Sequence, residues 1–313
     1  MLRGESPYSS LREYLAKNLL TTVAEFPDSH AQSLTYQVGQ MKSAGALTLT
    51  DDNNPGGIVG VTFKAHIPET NVLDKEYWTE DADGNVAAYD ETKNPIEDIR
   101  KFLNKLLYDG TYGSVHAEID EDTFYKLIGH PEFKKAIGYM VVNGLFTATT
   151  SIEDADKRAT EAGANVLLVD GNDTTALVGY FKRLFRGISE VTLHNNVVGV
   201  AKFNPETKQF GYPTVKAFNE GVLLFRPVGN IGTIKNVVPL RPDGSAVVAG
   251  IFENRGIIEY RYNPETRVQA WESELTVLAV PNRPKKMYRF NLAKKAINGR
   301  TAARRTTTSP KAE

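Results

Sequence analysis

Residues 76–107 read EYWTEDADGNVAAYDETKNPIEDIRKFLNKLL. Strand character surrounds Trp78, Asp81–Asn85 (DADGN) is a turn cluster, and extended chain resumes up to Tyr89. Asn94 then stands as an N-cap before Pro95 at the first helical position, and Glu97 is placed to complete a capping box. Ile96, Ile99, Phe102, Leu103, Leu106 and Leu107 recur at helical spacing and make one apolar face, which Gly110 can terminate.

Toward the N-terminus the pattern is β from about Ala46, with ALTLT, the turn cluster DDNNPGG and the strand pattern IVGVTFKAHI. Residues 33–43 fit no single period. Residues 9–25 predict an amphipathic helix on Leu11, Tyr14, Leu15, Leu19 and Val23, capped by Ser9 or Ser10 and ended by Pro27.

Toward the C-terminus, SVHAEI (114–119) predicts a strand, and DEDTFYKLIGHPEFKKAI (120–137) predicts two short helices broken at His130-Pro131. The break follows because a residue before proline resists the helical conformation. ADKRATEAG (155–163) predicts helix, ANVLLVD (164–170) a buried strand, and DTTALVGYFKRLFRG (173–187) a capped amphipathic helix. From Glu190 to Phe290 the chain reads almost entirely as strand and turn. FNPETK (203–208) and YNPETR (262–267) are two copies of one turn, suited to joining adjacent strands. After the second, a strand through Trp271 and another through Val280 are expected, closed by Pro281 and Pro284. Helix, β, helices and then strands without regular βαβ alternation predict an α+β fold.

The totals narrow the chemistry. The 313 residues contain no cysteine, so disulfides, thiolate metal sites and cysteine nucleophiles are excluded. No run approaches the roughly 18 apolar residues of a membrane helix, and the N-terminal residues do not resemble a signal peptide; a soluble intracellular protein without membrane partners is expected. The formal net charge of -1 conceals an asymmetry. Residues 283–313 hold ten Lys/Arg and one acid, against 27 basic and 37 acidic residues in the remainder. An acidic body with a basic, low-hydrophobicity tail predicts a solvated extension attracted to anionic surfaces or to other copies.

Motifs for catalysis are sparse. His30, His66, His116, His130 and His194 show no metal-binding spacing, and the His-x-Glu of residues 116–118 lacks the cysteines of a zinc deaminase. GNIGTIKN (229–236) does not have phosphate-loop spacing. Glu118, Asp120, Glu121 and Asp122 cluster after one strand, a pattern expected to cap a helix and face water. No cofactor or metal is expected. A carboxylate-dependent hydrolase and a nucleic-acid-binding protein using the basic tail remain the alternative classes.

The stretch from Tyr77 to Ile137 resembles the tailed-phage major capsid proteins, the lambda-type family with the Hong Kong 97-like fold. The similarity lies in the tryptophan strand, turn and proline-capped helix. It extends to AEIDEDTFYKLIGHPEFKKAI (117–137), which carries Leu-x-x-His-Pro, and resumes near Leu223, where VVPLRPDGSAVVAGIF (237–252) holds the L-x-P-x-G-x-A turn ahead of the final strands up to Phe290. The resemblance implies an α+β capsid fold with a spine helix, a long peripheral β-sheet and an α/β axial domain. It places the spine helix and a β-hairpin region in residues 1–95, the axial domain in 96–222, the return to the peripheral sheet in 223–290 and a basic tail in 291–313.

It further implies a non-enzymatic virion protein, made in the host cytoplasm, that self-assembles as pentamers and hexamers into an icosahedral shell around double-stranded DNA. Scaffold, portal or decoration proteins and non-specific contact with packaged DNA are the implied partners. Trp271, Arg283, Lys285, Lys286, Arg304 and Arg305 are the candidate subunit-interface or genome-facing residues. Three features depart from the family: only about eight residues precede the expected spine helix, residues 151–200 look like an elaboration of the axial domain, and the basic tail is long.

Overall fold

The computed structural model describes residues 30–50, 59–108, 114–141, 152–170, 173–199, 202–204, 209–211, 214–236, 251–252, 256–263, 268–275 and 277–293. The predicted 9–25 helix, the DDNNPGG turn, Gly110 and the L-x-P-x-G-x-A turn lie outside these residues. The architecture is mixed α+β, with six helices among the described residues: α1 (30–43), α2 (Pro95–Tyr108), α3 (Glu121–Ile128), α4 (Pro131–Val141), α5 (Ile152–Asp170) and α6 (Thr174–Leu184). None is long and apolar enough to cross a membrane. The chain divides into two compact units, each assembled from three separate stretches.

One unit takes its described residues from Glu69–Leu193, Glu220–Phe225 and Tyr288–Glu313. Its centre is a five-stranded sheet in the order Val72–Asp74, Tyr288–Asn291, Val222–Pro227, Val115–Asp120, Ile188–His194. Helix α2 lays its predicted face on this sheet: Ile96, Ile99, Phe102, Leu103 and Leu106 are all buried. The Phe102 ring meets Phe225, Tyr288 and Phe290 at centroid distances of 6.4, 5.7 and 5.7 Å. Burying each such side chain contributes about 1.5–3 kcal/mol, so the face outweighs the roughly 1 kcal/mol of the cap. That cap forms as expected, Asn94 Oδ1 accepting from the Glu97 N–H at 3.1 Å. The Glu97 carboxylate pairs forward with Lys101 at 2.7 Å.

The predicted break at His130-Pro131 separates α3 from α4. Asp173 caps α6 by accepting from the Thr175 and Ala176 N–H groups at 3.0 and 3.1 Å. Phe181 of α6 lies among Phe124, Phe133 and Phe185, its ring stacked on Phe133 at 3° and 6.1 Å. The expected strand at 164–170 is instead the last two turns of α5. A short apolar run suits a buried strand or a buried helix equally, and here packing decides. Gly163 brings α5 against Lys134 and Gly138 of α4, and Val166 and Leu167 pack on the core as the helix continues.

His130 has no exposed surface. Its Nδ1 accepts from the Glu132 N–H at 3.2 Å, so Nε2 carries the proton and faces the Asp90 carbonyl at 3.4 Å. Tyr77 and Tyr89 meet the ring edge-on. Burial lowers the His130 pKa, and the Asp90 carbonyl bond and nearby carboxylates oppose the shift. The unfolded chain, titrating at about 6.5, therefore binds the proton first. Stability should fall as pH drops through that value toward the lower folded one. Urea midpoints compared at pH 7.5 and 5.5 should differ more for the wild type than for His130→Gln; equal differences would remove His130 as the source.

The second unit takes its described residues from Met1–Pro68, His194–Asn219 and Arg226–Met287. Residues 33–43, which fit no period, belong to α1. Its contacts explain the weak signal, since they are polar and distant in sequence. Ser43 Oγ donates to the Gly39 carbonyl and accepts from the Asn219 N–H, while Gln40 Nε2 donates to Asn219 Oδ1. A side chain on Gly39 would overlap the Ala217 carbonyl. Met41, Leu47, Ala65 and Ala279 form a small core beneath it.

Residues 205–208 and 264–267 of the two NPET sequences lie outside the described residues, but the strands on either side of each are paired. Asn204 pairs with Gln209 across 205–208, and Asn263 pairs with Val268 across 264–267. The C-terminal strands differ from expectation. The Trp271 strand, Val268–Leu275, pairs back with Gly256–Asn263, whereas Val277–Pro281 pairs with Gly232–Asn236. Pro281 and Pro284 do not close the last strand. A 3-10 turn, Pro284–Lys286, leads into Tyr288–Asn291, an interior strand of the five-stranded sheet. Tyr288 and Phe290 are buried by alternation, within the strand character read as far as Phe290.

Candidate functional site

The five-stranded sheet has two unlike faces. Along Val115–Asp120, Val115, Ala117 and Ile119 enter the apolar core, and His116, Glu118 and Asp120 alternate to the other side. The alternate residues are nevertheless buried, at 6, 1 and 1% exposure. Only hydrogen bonds and ion pairs make such burial tolerable. Asp120 Oδ2 accepts from the Thr123 N–H and Oγ1, both at 3.1 Å, and Thr123 Oγ1 accepts from the Gly221 N–H at 2.8 Å. On neighbouring strands Asn291 Nδ2 donates to Asp74. Burial lowers the Arg289 pKa, and Asp74 opposes that shift.

The carboxylate cluster thus divides. Asp120 caps α3 as expected and Asp122 faces water, but Glu118 is buried, contrary to the expectation of an exposed run. Asp120, Asp122 and Glu220 bring carboxylate oxygens within 4.8 Å of one another, with Asp120 engaged as the cap. His116 of the His-x-Glu motif reaches the neighbouring strand. Its Nε2 lies 2.6 Å from Thr192 Oγ1 and its Nδ1 lies 3.3 Å from Glu190 Oε2. Sequence reading found the strand but not this partnership, because Thr192 and Glu190 are far along the chain on Ile188–His194.

Of the predicted interface residues, Trp271 lies on the Val268–Leu275 strand in register with Tyr260. Arg283 and Lys285 are exposed and Lys286 is half-buried, all at the 3-10 turn beyond Pro281. Three of the candidate cations are therefore grouped on one turn. Arg304 and Arg305 lie outside the described residues.

Two cavities occur within single units. One, of about 280 Å³, lies beside α1 and the Gly232–Asn236 strand, with Val38, Met41, Ile231 and Met287 in its walls and Lys42 and Arg226 as its charged groups. Arg226 Nη1 donates to the Pro227 and Gly229 carbonyls, both at 3.1 Å, and so braces the adjoining loop. The other, of about 310 Å³, lies between α2 and α4. There Lys135 pairs with Glu132 and Asp156 at 3.3 and 3.5 Å, and Asn94 Nδ2 donates to Glu132 at 3.0 Å. Charges in this second cavity are largely spent on one another.

Strand pairing is the most distinctive surface property. Among the described residues, five of the seven sheets have only two strands, so most strands there have an unpaired edge. The longest ribbon joins eight residues to eight, Gly256–Asn263 to Val268–Leu275.

No family model matches this chain, and no curated protein matches it. Among solved structures the chain is similar to a prophage protein of E. coli CFT073 provisionally named a capsid protein, at 12% identity and a TM-score of 0.48, covering 94% of this chain and 72% of that one.

Proposed function

We propose that the chain is a structural shell protein, the major capsid protein of a tailed phage, which self-assembles around double-stranded DNA. The observation that carries this reading is the prevalence, among the described residues, of two-stranded sheets whose strands are paired on one side. An isolated ribbon is marginally stable, and an unpaired edge is a template for another strand. Neighbouring subunits in a closed shell would supply those partners. The Trp-strand, turn and capped-helix resemblance supports the same reading, as does an acidic body carrying a basic C-terminal stretch.

On this reading the peripheral and axial parts follow the divisions at residues 95, 222 and 290, and contacts are made with other copies as pentamers and hexamers. Trp271 and the Arg283, Lys285 and Lys286 turn serve subunit contacts or face packaged DNA, with Arg304 and Arg305 extending that charge. The product resides in the virion and acts without a cofactor.

Purified protein viewed by electron microscopy across salt and concentration should show closed shells or ring-shaped oligomers. A compact monomer under every condition would overturn the proposal. The basic tail supports a second reading as a nucleic-acid-binding protein. It requires binding that weakens steeply with salt and is lost on deleting residues 294–313.

A further inference from the structure

We propose that Thr192, His116 and Glu190 form a nucleophile, base and orienting carboxylate that transfer an acyl group from an activated ester onto Thr192 Oγ1, an activity beyond any role in a shell. The three side chains stand in the order such chemistry requires. The hydroxyl is 2.6 Å from His116 Nε2, and the carboxylate is 3.3 Å from the other ring nitrogen. A carboxylate beside Nδ1 favours the proton there, leaving the Nε2 lone pair to accept from the hydroxyl. That is the arrangement of a general base poised on a nucleophile and held by a third group.

The support is rigid. His116 lies on Val115–Asp120, and Glu190 and Thr192 lie two residues apart on the adjacent strand, so they share a face. The Val115 N–H donates to the Gly187 carbonyl at 2.8 Å, and Ser189 Oγ donates to the Val115 carbonyl at 3.0 Å, tying the two strands at this point. Val191 and Leu193 pack against the core, which directs Thr192 to the opposite side. Exposure is graded: 8% of the His116 side chain and 64% of Glu190 are accessible, and Thr192 is half-buried. The imidazole is thus largely covered, while its hydroxyl-facing side keeps an approach from solvent.

In the first step Thr192 Oγ1 adds to the ester carbonyl carbon as its proton passes to His116 Nε2. The tetrahedral adduct collapses, the bond to the leaving oxygen breaks, and that oxygen takes the proton from Nε2. The products are an alcohol and an acyl-threonine ester. Water, deprotonated by the same Nε2, then releases a carboxylic acid and restores the hydroxyl. An ester with a good leaving group departs readily from the adduct, which defines the substrate class.

The probe is p-nitrophenyl acetate, with nitrophenolate release followed by absorbance and the acetyl group located by peptide mass spectrometry. Acetyl is expected on Thr192, at no more than one per chain, trapped by acid quench before water releases it. Thr192→Val should abolish it, Thr192→Ser should retain it, and His116→Gln should slow it by about 100-fold or more. Glu190 acts through His116 and is a positioning residue. Its loss in Glu190→Gln should slow acetylation about tenfold, with rescue by Glu190→Asp, a pattern that a merely structural surface residue would not give. Circular-dichroism melts show whether each variant is folded. Acetylation of Thr192 at equal rates in wild type and folded His116→Gln would overturn the proposal. So would acetyl groups found on lysines alone, or a folded Thr192→Ser that is not labelled. Should His116→Gln fail to fold, the Thr192→Ser and Thr192→Val pair decides.

Discussion

Gly138→Ala is expected to lower stability by about 2–4 kcal/mol, even though alanine is the better helix former. In an exposed helix the exchange would gain roughly 1 kcal/mol. Here the added methyl group would overlap the Ala159 carbonyl, a backbone atom of α5 that cannot rotate aside. The two helices must separate, and the packing around buried Ile137 and Ala159 loosens with them. Gly163→Ala strikes the same contact from the other side, since its methyl group would overlap the Lys134 carbonyl. Once one substitution has parted the helices the second costs less, so the double variant should lose less than the sum. Urea denaturation of the three variants measures both effects. A neutral or stabilised Gly138→Ala would show that α4 and α5 do not approach this closely.

Phe181→Ala is expected to cost about 3–5 kcal/mol. The ring is 1% exposed and meets Phe124, Phe133 and Phe185 at centroid distances of 5.7, 6.1 and 4.8 Å. It joins α6 to both α3 and α4, so the hole left by alanine is bordered by three large rings that cannot all collapse into it. Phe181→Leu should recover part of the loss by filling volume without restoring the aromatic contacts. A midpoint shift for Phe181→Ala no larger than that of a surface substitution would contradict the packing described.

Both of these sites sit in segments whose legibility differed. The starts of helices α2 and α6 were readable to within a residue because their caps, Asn94 and Asp173, act on N–H groups only two or three positions away. The interruption at His130-Pro131 was readable for the same reason, a local steric rule. Helix α5 was half readable: its polar start has helical character, but Val166–Val169 is apolar without a period, and the deciding partner is another helix. Helix α1 depends on Gly39, Gln40 and Ser43 meeting residues 217–219, contacts that no local pattern announces.

The candidate sites follow the same division. The exposed cations at Arg283 and Lys285 were visible in composition. The buried His116, Glu118 and Asp120 looked like ordinary strand and cap residues, because burial of a polar face depends on what the fold places over it. The prolines at 281 and 284 were read as stops, and the strand after them pairs in parallel with Val72–Asp74, a partner no hairpin logic would suggest.

That late strand has a consequence for how the protein comes into being. Asn291 bonds to Asp74 across 217 residues, and its strand occupies an interior place between one element made early and another made late. At ribosomal speeds, roughly 10–40 s separate the emergence of those two partners. Through that interval the Val72–Asp74 strand waits beside an unfilled slot, so the sheet is completed only after residue 291 has been translated. A chain ending before Tyr288 would lack the strand that joins Val72–Asp74 to Val222–Pro227, leaving both without that neighbour.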